Sequence, residues 1–219
     1  MDEPLRVFIS YDRSDGHEAA CIKACLEAEG FTCFLAHEDL EVSSVWRERI
    51  WEELTGCDCF VGLISEASNA SVWCQQETAV ALCRLPPERF VLVKLGAADP
   101  QGFAARYQAI PVGRLLPALD SCPFVRENRI NAMIGRLKEA NTYSQARERG
   151  RQLVGLIPTL TREQVARLLR VSLQNDQVWN EEYGIGPRVR ELYAAYEEQH
   201  GEDAARALRW TPHPSDSPG

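Results

Sequence analysis

The chain has 219 residues, 45% hydrophobic and 26% charged, enough for one well-formed core and a small second module. Its formal net charge of -8 and pI of about 5.1 disfavour nucleic acid or an anionic membrane surface as the main partner, because phosphate binding needs a basic face. The opening MDEPLRVFIS is acidic, with no apolar run behind a basic segment, and no stretch approaches the roughly 18 apolar residues of a membrane span. The chain therefore reads as a cytosolic protein.

In chain order, Arg6 to Tyr11 is a short β-branched and aromatic run that predicts a first strand. A helix follows over His17 to Glu29, with Ile22 and Leu26 on one face and Gly30 as its C-terminal cap. Phe31 to Leu35 reads as a second strand. Ser43 or Ser44 caps a second helix in which Trp46, Ile50 and Leu54 recur every four residues. Asp58 to Ile64 is nearly all apolar, as a central parallel strand covered on both faces requires. Residues 71 to 79, SVWCQQETA, begin a third helix with Ser71 as cap, and Phe90 to Leu95 gives a fourth strand. After a Gly- and Pro-containing loop, a weak fifth strand is expected near Cys122 to Val125, then a helix over Arg126 to Glu139.

Strand and helix alternating at this spacing predict an α/β fold, a parallel sheet with helices on both faces. Ligands then bind beyond the carboxyl ends of the strands, so the loops 12–16, 36–44 and 65–71 are the ones to inspect. From about Tyr143 the pattern becomes helical only. Thr161 to Gln164 is a capping box ahead of Val165, Leu168, Leu169 and Leu173, and Pro187 suits the first turn of a helix bearing Val189, Leu192, Tyr193 and Tyr196. The expected organisation is a sheet domain over 1–141, a helical extension over 142–205 and a disordered tail over 206–219, TPHPSDSPG at its end.

Several chemistries leave marks that are missing. The first loop, Tyr11-Asp-Arg-Ser-Asp-Gly16, has one glycine where a dinucleotide-binding turn needs three, and there is no P-loop or G-x-S-x-G elbow. Ser65 and Glu66 stand where a phospho-accepting receiver would carry an aspartate. The eight cysteines, Cys21, Cys25, Cys33, Cys57, Cys59, Cys74, Cys83 and Cys122, include no C-x-x-C pair and read as small buried hydrophobes, with a pocket-lining role open for Cys74. The four histidines have no metal or triad spacing, and His37, Glu38 and Asp39 read as a solvated loop. The arginines 147, 149 and 151 read as a solvated helix face.

The boxes then fall into one order. Phe8-Ile-Ser-Tyr-Asp12, the 36–44 loop leading into Val45-Trp-Arg-Glu48, Ser71-Val-Trp-Cys-Gln-Gln-Glu77 and Ile110-Pro-Val112 together resemble Toll/interleukin-1 receptor (TIR) domains over roughly residues 5 to 140. The resemblance implies a flavodoxin-like five-stranded parallel sheet. Some family members only assemble with other TIR domains, whereas others, including many bacterial ones, cleave NAD+ between nicotinamide and ribose. It also implies that Glu77, in the W-C-x-x-E motif, occupies the catalytic glutamate position. The second loop, AHEDLEVSS, departs from the family in lacking the receptor-type Pro-Gly turn, which argues against receptor-like signalling more than against catalysis.

One carboxylate suffices for such a reaction. Nicotinamide in NAD+ is already a cationic pyridinium and leaves neutral, so no general acid is required, unlike most glycoside hydrolysis. Positive charge moves onto the ribose, where a single anionic side chain stabilises it. Trp73 and Glu77, four apart, share a helix face. Ser10, Tyr11 and Arg13 leave the first strand at the same edge, where Arg13 suits the pyrophosphate, Tyr11 a ring, and Trp46 the nicotinamide end. Structural alternatives stand beside these roles: core tryptophans at 46 and 73, a surface arginine at 13, a turn cap at Ser10.

The expectation is therefore an NAD+ glycohydrolase with no metal or bound cofactor, NAD+ being the substrate, yielding nicotinamide and ADP-ribose or a cyclic isomer. By resemblance it serves bacterial anti-phage immunity and self-associates, as filaments in some assemblies. Two rivals are a non-enzymatic module docking on other TIR domains and a nucleoside-cleaving or base-exchange enzyme.

Overall fold

Every strand pair in the sheet is parallel, in the order β2-β1-β3-β4-β5. In the computed structural model, residues 3–36 and 44–208 are described, residues 44–46 by their backbone alone. The strands are β1 (Arg6–Ser10), β2 (Thr32–Leu35), β3 (Cys59–Ile64), β4 (Phe90–Lys94) and β5 (Ile110–Pro111). β3 lies between β1 and β4 and is buried at all six positions, which is why its sequence is continuously apolar rather than alternating. The chain forms two compact units, the first ending at Arg129 and the second beginning at Ile130.

Side-chain alternation along the strands sorts the first unit's core into two layers. Val7 and Ile9 pack with Ala19, Ile22 and Leu26 of α1 (Gly16–Ala28) and with Leu115 and Leu119. Their neighbours Phe8, Phe60 and Leu92 face the other way, against Ile50 and Leu54 of α2 (Ser44–Gly56) and Ala81. On that second face the register lines up Phe34, Phe8, Phe60 and Phe90 as cross-strand partners, with ring centroids 5.5, 6.0 and 5.1 Å apart in turn. This row of packed rings, two of its three pairs stacked, pins that register, because a one-residue slip would turn each ring to the opposite face. Gly30, at a φ of 97°, ends α1 in the left-handed region, as its place after the apolar face predicted.

After β3 the chain makes α3 (Glu66–Ala70), a short helix where the sequence suggested only loop. Ser65 starts it with a reciprocal capping box to Ser68. Ser71 then caps α4 (Val72–Arg84), accepting from the Cys74 backbone N–H. The fifth strand is a correction. It is Ile110–Pro111, paired to Val93 and Lys94, and Cys122 to Val125 instead enters a helix. Pro123 sits at the first helical position, where its missing N–H costs nothing, so this short apolar run is helical rather than extended. Following β5 come α5 (Leu115–Asp120) and α6 (Pro123–Leu137). Arg129 of α6, only 1% exposed, donates to Asp120 Oδ2 at 2.6 Å and Glu29 Oε2 at 2.7 Å, joining the ends of α1 and α5.

The second unit is all helical: the later half of α6, then α7 (Tyr143–Leu156), α8 (Arg162–Leu173), α9 (Asp176–Trp179), α10 (Ile185–His200) and α11 (Glu202–Ala207). Leu153, Leu168, Leu169, Ile185 and Val189 form its core. Gly150 lets α7 approach α10 closely, since a Cβ there would lie 2.4 Å from that of Ile185. The capping box at Thr161 and Gln164 is present. Buried Glu181 accepts from the backbone N–H groups of Tyr183 and Gly184 at 2.9 and 2.6 Å and from Arg147 Nε at 2.8 Å. Arg147 is exposed, as a solvated face requires, and its guanidinium also closes this loop. No described helix is long and apolar enough to cross a membrane.

The cysteines divide. Cys33, Cys57, Cys59, Cys74 and Cys122 are buried as expected, whereas Cys21, Cys25 and Cys83 are exposed, on the outer faces of α1 and α4. Helical spacing puts them opposite the apolar stripes, so their chemistry, small and uncharged, was a poor guide to burial.

Candidate functional site

The carboxyl ends of β1 and β3 and the N-terminal half of α4 meet on the phenylalanine-lined face of the sheet. On β1 that face takes every second residue, so Ser10, two beyond Phe8, points toward α4 rather than α1. On α4 the inward stripe is Cys74, Glu77 and Ala81, spaced by three and four residues. Glu77 is thus carried into the protein by the same periodicity that buries an alanine one turn later. It is 2% exposed.

Ser10 Oγ donates to Glu77 Oε2 at 2.5 Å, a short charge-assisted geometry. Among the described residues the other oxygen, Oε1, is buried with no hydrogen-bond partner. Loss of water pushes the Glu77 pKa up to about 7, with the Ser10 bond pulling in the opposite direction. A buried carboxyl group bonded on one oxygen and raised in pKa is a candidate functional group. Its neighbour Cys74 is also pushed up, first by burial and also by the Glu77 charge, with Ser71 and Ser10 acting in the lowering direction.

Asp15 and Ser65 stitch the same edge together. Asp12 caps the 3-10 turn Arg13–Asp15 that leaves β1, accepting from Ser14 N, and Ser65 at the end of β3 donates to Asp15 Oδ2 at 2.6 Å. Ser65, where a receiver domain would need an acid, therefore joins two loops of the sheet edge. Neither residue was singled out as part of a site from sequence, since each reads as an ordinary turn former.

Of the residues named from sequence, the structure brings together Ser10 and Glu77. Tyr11 is 4% exposed and belongs to the core on the opposite face of the sheet, as strict alternation after Ser10 demands. Arg13 is exposed on its 3-10 turn. Trp73 shares a turn with Cys74 but is 43% exposed, at the margin of the buried stripe rather than within the core. The backbone of Trp46 is in the first turn of α2, and its side chain, like His37, Glu38, Asp39 and the rest of the loop 37–43, lies outside the described residues.

A family model described as TIR domain matches residues 7–116, just over half of the chain. The chain belongs to the TIR domain family. The match spans all five strands and α1 to α4, so the Ser10–Glu77 pair lies inside the TIR domain, and the helices from α5 onward fall almost wholly beyond it. The curated proteins include no match to the chain. Among the described residues of this TIR protein, no group of three or more His, Cys, Asp or Glu side chains is placed to hold a metal ion.

Proposed function

We propose that this TIR protein is an NAD+ glycohydrolase in which Glu77 stabilises the ribose as nicotinamide departs. The observation that carries the reading is the Glu77 carboxyl group itself: buried, bonded on one oxygen to Ser10 and unpartnered on the other among the described residues. A structural role would consume both oxygens, as Glu181 does in the second unit.

The chemistry needs little else. The bond from the ribose anomeric carbon to the pyridinium nitrogen breaks, its electron pair neutralises the ring, and nicotinamide leaves without a proton. The sugar carries the positive charge, which an adjacent carboxylate favours over solution by about 3 kcal/mol or more. Water then adds to the anomeric carbon and releases one proton, giving ADP-ribose; attack by an atom of the adenine instead gives a cyclic isomer. In the empty protein Glu77 titrates near pH 7, and the approach of a cationic substrate lowers that value and draws the group into its ionised form.

Arg13 and Trp73, both exposed, are the proposed contacts to pyrophosphate and a ring, and Trp46 is the proposed contact to the nicotinamide end; Tyr11, buried on the opposite face of the sheet, takes no part. Family likeness supports the wider setting: bacterial anti-phage defence in the cytoplasm, by depletion of NAD+ or by a nucleotide signal, with self-association that reaches filaments. The protein incubated with NAD+ is expected to release nicotinamide, with mass spectrometry separating linear from cyclic ADP-ribose and Glu77→Ala abolishing the release. Release from Glu77→Ala equal to that of the wild type would take the catalytic role away from Glu77, and no release from the wild type under any assembly state would leave a TIR docking module.

A further inference from the structure

A cleft of about 690 Å³ runs between α4, the end of β3 and the 3-10 turn Gly102–Arg106. Its inner end reaches Ser10 and Cys74, the two side chains beside Glu77. Gly62, the register partner of Ser10 on β3, adds no side chain to this floor, so the cleft extends beneath α4 as far as the Ser10 hydroxyl. The volume is that of an ordinary small-molecule site.

The walls are braced from within. Asn69 Nδ2 donates to the Asp99 carbonyl at 2.9 Å, tying the end of α3 to the loop that carries the outer wall. Gln75 Nε2 donates to the Asn69 carbonyl at 2.7 Å, tying α4 to α3, and Lys94 holds Asp99 at 2.6 Å. At the rim Phe103 is 82% exposed, a ring held out by a turn whose next residue, Ala104, is buried in the core.

The chemistry of the lining is selective. Among the described residues lining the cleft, none is Lys, Arg, His, Asp or Glu, so these offer no charged partner to a pyrophosphate or a free anion. It offers carboxamides instead. Those of Asn69 and Gln75 are committed to the bracing, while Gln76 and Gln101 stand exposed at the edge. Apolar surface, an exposed phenyl ring and paired amide donors and acceptors match a flat, uncharged heteroaromatic ring with an amide-like edge.

We infer that this cleft binds such a ring, nicotinamide or the adenine base, and thereby forms a second subsite reaching the Ser10–Glu77 pair from beneath α4. The inference rests on the NAD+ reading for its choice of rings. It differs in its consequence: a neutral ring in the cleft abuts Ser10, so occupancy acts on the hydroxyl that holds Glu77 in place.

The test is a pair of titrations of the full chain, isotopically labelled, with nicotinamide and separately with adenosine, following backbone amide signals. Saturable shifts centred on Asn69, Gln75 and Gly102 to Ala104 are expected with at least one ring, and which ring binds identifies its source. Ala79→Leu, a helix-compatible substitution that projects into the cleft, should weaken that binding at least fivefold. Should it fail to fold by circular dichroism, the doubly exposed pair Gln76→Ala with Gln101→Ala takes its place, with a loss of at least threefold. Absence of saturable shifts with both rings, or affinity unchanged in the folded variant, overturns the inference. NAD+ turnover is measured on the same samples: turnover without ring binding in the cleft removes the subsite and leaves the enzyme, and ring binding without turnover does the reverse.

Discussion

Ser10 Oγ and Glu77 Oε2 lie 2.5 Å apart although 67 residues separate them in the chain, one at the end of the second strand from the sheet's edge, the other on the helix that crosses above it. That single bond sets how the buried carboxyl group is oriented and how readily it ionises. Its removal has a defined sign.

A hydroxyl that donates to a carboxylate favours the charged form, so Ser10→Ala moves the Glu77 pKa further upward. If Glu77 acts ionised, the acid limb of kcat/KM for NAD+ hydrolysis lies near pH 7 in the wild type and shifts to higher pH in Ser10→Ala. Loss of activity with an unmoved limb would show that Ser10 acts on the substrate and not through Glu77. The profile from pH 5.5 to 9 decides between them.

Burial of Glu77 also costs stability. Its pKa rises from an ordinary 4.5 to about 7 on folding, so the folded state holds the proton more tightly. The contribution to stability is full below pH 4.5 and is lost as pH rises through 7, an effect on the order of 3 kcal/mol for a shift of this size. Glu77→Gln, which has no charge to bury, is therefore expected to be more stable than wild type above pH 7 by about 1–3 kcal/mol, the gap closing toward pH 5. Urea unfolding of both proteins at pH 5 and 8 measures it. A more stable but inactive Glu77→Gln is the usual relation between a strained functional group and its scaffold.

Arg129 makes a contrasting case, a buried charge whose partners are supplied. With Glu29 and Asp120 both within 2.7 Å of its guanidinium, Arg129→Ala strands two carboxylates and leaves a void. The expected loss is about 3–5 kcal/mol, read from the shift in urea midpoint. Replacing all three by apolar residues of similar volume should recover most of it, since paired buried charges contribute little beyond their own desolvation.

Glu181 offers the same logic in the helical unit. Its carboxylate serves three backbone N–H groups, at Tyr183, Gly184 and Gly186, and Arg147. Those bonds hold its pKa below the usual carboxylate range, even though burial pulls the other way. Glu181→Ala is expected to cost about 3 kcal/mol, while Glu181→Gln, which keeps one acceptor oxygen, costs less. Hydrogen exchange of the Tyr183 and Gly184 amides should quicken first, because their acceptor is gone.

Much of this was legible in the chain. Apolar runs of strand length, caps at Ser71 and Thr161, the Gly30 stop and the ordered boxes around Phe8 and Glu77 are local signals, each read within a few residues. The two-residue β5 was not, because Ile110–Pro111 is too short to show alternation and becomes a strand only by pairing with Val93 and Lys94. Nor was the exposure of Trp73, whose spacing from Glu77 is that of a shared face. A helix face is a direction, and the depth to which a given turn sinks depends on what lies beneath it.

The sequence by itself determined the class of fold, the identity of the one acidic residue on the inward stripe of α4 and the absence of glycine-rich or metal-binding patterns, because periodicity and residue chemistry are written locally. Only the tertiary structure decided that this glutamate is buried, bonded to Ser10 and bordered by a cleft whose described lining residues carry no charge. Burial and a shifted pKa arise from atoms brought together across the sheet, and distance along the chain carries no record of them.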